Sequence, residues 1–106
     1  MKLDLAEKYY VFKELEKEQN HSQRTLAQQL GFSLGKMNFL IKELIEKGFI
    51  KMENFAHNNH KAQYRYIVTS RGIREKIRVT KAFIKRKELE YENICRELKE
   101  AKETIR

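Results

Sequence analysis

Apolar and polar positions along the chain change their period several times, and each change marks an element. Leu5, Tyr9, Phe12 and Leu15 recur at helical spacing, with Leu3, Ala6 and Val11 beside them and Asp4 placed as a cap. This predicts a first helix over about 4–19. The polar run "EQNHS" breaks it, and Ser22 is a good N-cap because its side-chain oxygen can accept from the free amides of the next turn. Leu26, Ala27 and Leu30 give the second helix a narrow apolar face, with Gly31 just past its end, where a positive φ is often required. Ser33 caps again. Met37, Leu40, Ile41, Leu44 and Ile45 then follow the i, i+3, i+4, i+7 rule for one buried stripe, and Gly48 ends the third helix.

After Gly48 the period falls to two. In "FIKMENFAHNNHKAQYRYIVT", Ile50, Met52 and Asn54 share one face of a strand, and Tyr64, Tyr66 and Val68 share one face of another. The polar tip "AHNNHK" between them makes this a β-hairpin. "TSRG" restarts a helix at Thr69 or Ser70, and no breaker follows Gly72. Residues 71–106 therefore predict a helix roughly 50 Å long at ~1.5 Å per residue. Its early part is apolar on a wide arc of Ile73, Ile77, Val79, Phe83 and Ile84. Its later part narrows to a seam, in which Ile77, Ile84, Tyr91, Leu98 and Ile105 repeat every seven residues. Ile73, Thr80, Lys87, Ile94 and Ala101 lie four residues before each of them. This is an a/d heptad, imperfect at Thr80 and Lys87. Glu97 and Lys102 stand at g and e positions that can pair across a parallel dimer. The seam predicts a second copy as partner, through Ile77, Ile84, Tyr91, Ile94, Leu98, Ala101 and Ile105. The alternative is a helix that only wraps its own domain. Two units follow: residues 1–70, and the helix 71–106 as a dimerisation coiled coil.

Composition narrows the function. The chain has 106 residues, 41% hydrophobic and 36% charged, with a net charge of +8. That suits a small core carrying a long exposed helix. A basic surface favours nucleic acid or an anionic membrane, or is simply a solvated lysine-rich face. Absence of Pro and only four Gly imply mostly regular structure. A single cysteine, Cys95, allows no disulfide framework within the chain, which fits a reducing compartment. No apolar run approaches the ~20 residues needed to cross a bilayer, and the first ten residues lack a signal-like apolar core. The expectation is a soluble cytoplasmic protein, not a membrane one.

Three helices, a hairpin and a further helix make the order of a winged helix-turn-helix, mainly α with a small β-hairpin. A helix the size of the third fits the major groove with its N-terminal residues toward base edges. Its exposed positions near the start are expected to be Gly35, Lys36, Asn38, Phe39 and Lys42. Asn38 can bond adenine bidentately, Lys36 and Lys42 can reach guanine or phosphate, and Phe39 can lie against thymine methyls or pack inward. Ser33 and the first amides can hold a phosphate. Gln23, Arg24 and Thr25 open the second helix and can fix register through backbone contacts. The tip residues His57, Asn58, Asn59, His60 and Lys61 can enter an adjacent minor groove. His57 and His60 also have i, i+3 spacing, but no cysteine or carboxylate pair stands beside them, so the tip reads as a polar loop and no metal is expected.

"SQRTLAQQLGFSLGKMNFLIKELIEKGFIKM", a polar wing and "YIVTSRGI" resemble the MarR-type winged helix transcription regulators, over about residues 8–95. "SLGKMNFLIKELIEKGFI" is most similar to a short subgroup associated with exopolysaccharide loci. The resemblance implies a homodimeric, bacterial, repressor-like protein on a palindromic site, with the third helix as reader and the wing as second contact. Two departures stand out. The usual wing Asp-x-Arg is absent, with His60 and Lys61 near those places, and the usual recognition-helix Arg appears as Phe39. No small-molecule effector is specified.

No catalytic set is present: there is no Gly-rich phosphate loop and no Ser-His-Asp candidate, so neither an enzyme nor a cofactor is expected. The rival reading is a winged-helix adaptor that recruits another protein through its coiled coil. RNA is a weaker rival, since no aromatic-rich sheet platform is evident.

Overall fold

The structure, a computed structural model, describes residues 4–17, 22–55 and 63–105. The element order is α1 (Leu5–Lys17), α2 (Gln23–Leu30), α3 (Leu34–Glu46), β1 (Ile50–Phe55), β2 (Gln63–Val68) and α4 (Ser70–Thr104). This is the order the periodicity predicts. It is mainly helical, with one antiparallel hairpin and a long C-terminal helix. The last residues of the predicted first helix, 18 and 19, lie outside the described residues, as does the hairpin tip.

The helix starts are set by side-chain caps. Ser22 Oγ accepts from the Thr25 amide at 3.0 Å and Ser33 Oγ from the Lys36 amide at 3.1 Å. Thr69 does the same for α4, accepting from the Gly72 amide at 3.0 Å. Each cap satisfies an amide that the first turn leaves without an intrahelical partner. Asp4 differs: its amide donates to Glu7 Oε1 at 3.3 Å, while its carboxylate faces Arg86 at 3.6 Å. Gly31 has φ 72°, a left-handed conformation costly for side chains with a Cβ. It lets the Phe32 amide turn back to the Ala27 carbonyl at 2.9 Å. The chain therefore reverses within three residues, and α3 is laid across α2.

The core joins Val11, Phe12 and Leu15 of α1, Leu26 and Ala27 of α2, Met37, Leu40, Ile41 and Leu44 of α3, and Ile50 and Tyr66 of the hairpin. Ile45, predicted inside, is 37% exposed. At ~100° per residue it falls beyond Ile41 on the outer side of the stripe. Hairpin register opposes Ile50 to Val68, Met52 to Tyr66 and Asn54 to Tyr64, so the predicted faces coincide.

Two features fix α4 to this body. Gly72 packs directly on the Phe49 peptide just before β1 and on the end of β2, where a Cβ would run into the Phe49 carbonyl oxygen and Val68 Cγ1. The Phe49 oxygen also accepts from the Thr69 amide at 3.0 Å and from Thr69 Oγ1 at 3.1 Å, while the Phe49 amide donates to the Leu44 carbonyl of α3 at 2.9 Å. Further on, Val79 and Phe83 are buried, and the Phe83 ring stacks on Tyr9 with centroids 4.6 Å apart. Glu16 pairs with Lys76 and Asp4 with Arg86, so α1 runs antiparallel along the first half of α4. Within the same contact, Glu75 accepts from Arg78 Nε and from Lys8 Nζ, both at 2.6 Å. The Arg78 hydrogen bond, and then Lys8, hold its carboxyl down to about 2 against the opposing effect of burial. From Ile84 to Ile105 every residue is exposed, and the helix projects from the body to give a molecule 72 Å long.

Candidate nucleic-acid interface

α3 is two-faced. Met37, Leu40, Ile41 and Leu44 are almost wholly inaccessible, and the opposite arc presents Leu34, Gly35, Asn38, Lys42 and Ile45, all exposed. Asn38 lies four residues from Leu34 and from Lys42, so the three share one face. That face has no helix packed over it among the described residues, and mixes an amide, an ammonium and aliphatic edges, with the exposed Glu46 carboxylate at its C-terminal end. Such groups read base edges in the major groove.

Two predicted readers are placed elsewhere. Lys36 is half-buried, forms an ion pair with Glu7 of α1, and lies over the Phe32 ring at 4.6 Å. It stands two residues from Asn38, roughly 160° around the helix, so the two cannot serve one face. Phe39 is half-buried and packs against the core cluster. Of the α2 residues, Arg24 is exposed while Gln23 and Thr25 are half-buried. The Thr25 hydroxyl is within 2.8 Å of Ser22 Oγ. Ser33 is exposed with its oxygen already committed to the Lys36 amide. Its hydroxyl proton and the first amides of α3 remain to face a phosphate. His57, Asn58, Asn59, His60 and Lys61 lie outside the described residues. On the outer face of the hairpin stem, Arg65 donates to Glu53 at 3.0 Å and Lys51 Nζ is 3.9 Å from the same carboxylate.

Residues 11–51 match the family model described as winged helix-turn-helix DNA-binding. The fold is a winged helix-turn-helix. The match runs from the middle of α1 through α2 and α3 into β1, which is the part of the chain that builds and positions the exposed α3 face. It supports DNA binding, and the family is one of DNA-binding domains, not of enzymes. No curated protein matches the chain significantly.

Beyond the matched segment, the winged helix-turn-helix carries the α4 seam. Ile77, Ile84, Tyr91, Ile94, Leu98 and Ile105 are each at least half exposed, with Ala101 also exposed. No described helix is long and apolar enough to cross a membrane. Leu34 and Glu7 were not among the predicted site residues. Leu34 was signalled by its i, i+4 spacing to Asn38. Glu7 had no sequence signal, because its partner is 29 positions away.

Proposed function

We propose that this protein is a sequence-specific, double-stranded DNA-binding transcription regulator. It acts as a cytoplasmic homodimer on a palindromic operator, with residues 1–70 reading DNA and the helix 71–106 joining two copies. Asn38 carries the base-edge contact, Lys42 reaches a phosphate beside it, and Leu34 lies against thymine methyls. Ser33, Gly35 and Arg24 meet the phosphate backbone, and the wing makes a second contact. The MarR-type resemblance supports a repressor-like role, and its short subgroup points to exopolysaccharide biosynthesis genes as targets. The observation that carries this reading is the exposed α3 face, held rigidly opposite four buried side chains of the same helix.

Fluorescence anisotropy tests it. Duplexes from the protein's own upstream region and a scrambled control would be titrated at two salt concentrations. Preference for the native duplex by ~10³ or more is the expected result. Absence of salt-sensitive binding to any duplex would sink the reading and leave the adaptor role, with α4 as the place to look.

A further inference from the structure

The two halves of α4 carry opposite charge. Residues 71–87 hold eight Lys or Arg and one Glu, whereas residues 88–104 hold six Glu and three Lys or Arg. One apolar seam runs through both. Beside it lie two open grooves. The larger, about 670 Å³, lies where the two halves meet: its apolar lining is Tyr9, Phe83, Ile84 and Tyr91, and its charged lining is Lys87 with Glu88 and Glu92. The second, about 290 Å³, is formed around Ile73, Lys76, Ile77 and Thr80. The Thr80 hydroxyl is common to both, and it is buried without a hydrogen-bond partner.

The occupant is a second copy of this chain, as in the function proposed above, and the charge pattern points to its direction. We infer that two α4 helices pack antiparallel, the acidic distal half of each lying along the basic proximal half of the other, with the larger grooves of the two copies facing each other at the centre. In a parallel, in-register pair every seam residue meets its own copy. That sets Lys87 against Lys87 and the basic half against the basic half, and only Glu97 and Lys102 attract. Reversing one helix about a centre between residues 85 and 86 takes Lys87 off its own copy and sets residues 71–83 of each helix beside residues 88–100 of the other, leaving only Lys85, Arg86 and Lys87 of the two copies close together. Ile73 then opposes Leu98 of the other copy, Ile77 opposes Ile94, and Ile84 opposes Lys87. Lys81 comes beside Glu88 in two symmetric places. Thr80 opposes Tyr91, whose hydroxyl can donate to the unpartnered Thr80 oxygen. Opposite charges flanking an apolar seam set helix orientation in this way.

The test is the distance between spin labels on a single cysteine at Glu103→Cys in a Cys95→Ser background, using the full chain, with light scattering giving its mass. At ~1.5 Å per residue the antiparallel pair separates the labels by roughly 50 Å, whereas a parallel pair holds them within about 20 Å. The long distance is expected, and the short one overturns the orientation while leaving dimerisation intact. A monomeric mass overturns both. Oxidative cross-linking is a second readout. Leu98→Cys alone in the same background should give no covalent dimer, and mixing it with Ile73→Cys should give one. Efficient self-linking through Leu98→Cys would reject the antiparallel pair.

Discussion

Lys36 and Lys42 stand six positions apart on one helix and have different surroundings. Lys42 faces solvent beside Asn38, and Lys36 is turned back onto Glu7 and Phe32. Lys42→Ala should therefore weaken operator binding and lower its salt slope by about one. Asn38→Ala should cost roughly 1–3 kcal/mol at the base it reads and relax preference at that position. Anisotropy against a panel of single-base variants separates the two effects. Glu7→Gln removes the carboxylate that engages Lys36, so it should raise duplex affinity and steepen the salt dependence. Unchanged affinity would mean that Lys36 stays on Phe32 regardless. At this scale the sequence was half legible. The i, i+4 alternation separates Asn38 and Lys42 from the buried stripe. That Lys36 leaves the reading face also follows from its two-residue offset from Asn38. That it ends on Glu7 depends on how α1 crosses α3, which no local pattern encodes.

Between elements, two contacts at the start of α4 invite direct measurement. Gly72→Ala would force the α4 backbone away from the Phe49 carbonyl, a backbone group with little room to move. It should destabilise the fold by roughly 1–3 kcal/mol in urea unfolding. Glu75 offers a pH signature. Its carboxyl lies at about 2 in the folded chain against 4.5 for the ordinary group. Folded protein thus binds fewer protons, and the stabilisation is full above about pH 4.5 and disappears as pH falls toward 2. Glu75→Gln should cost about 1–2 kcal/mol near neutral pH. The gap to wild type should close on acidification through that window. Element order and caps were legible because Ser22, Ser33 and Thr69 act within four residues of themselves. Which turns of α4 dock was not, since Ile77 and Val79 look equally apolar in the chain. Only the crossing with α1 buries Val79 and leaves Ile77 outside.

Over the whole molecule, a small body of three helices and a hairpin carries a helix long enough to reach well past it. Composition already implies this, since a 36% charged chain cannot bury all its helical length. The Phe49 peptide unit then has a further consequence. Its amide is bonded to the end of α3 and its carbonyl to Thr69 at the start of α4. The helix proposed to meet DNA and the helix proposed to meet a second copy are thus joined through adjacent residues, Phe49 and Gly48, whose carbonyl also accepts from Thr69 Oγ1 at 2.6 Å. Such a dimer behaves as a caliper with its jaws set at manufacture. One added base pair between operator half-sites moves them ~3.4 Å apart and turns one by roughly 36°, out of a spacing of about 34 Å. A jointed protein would follow that change. This one should lose more than about tenfold in affinity, which the same anisotropy assay reads on a duplex lengthened by one pair.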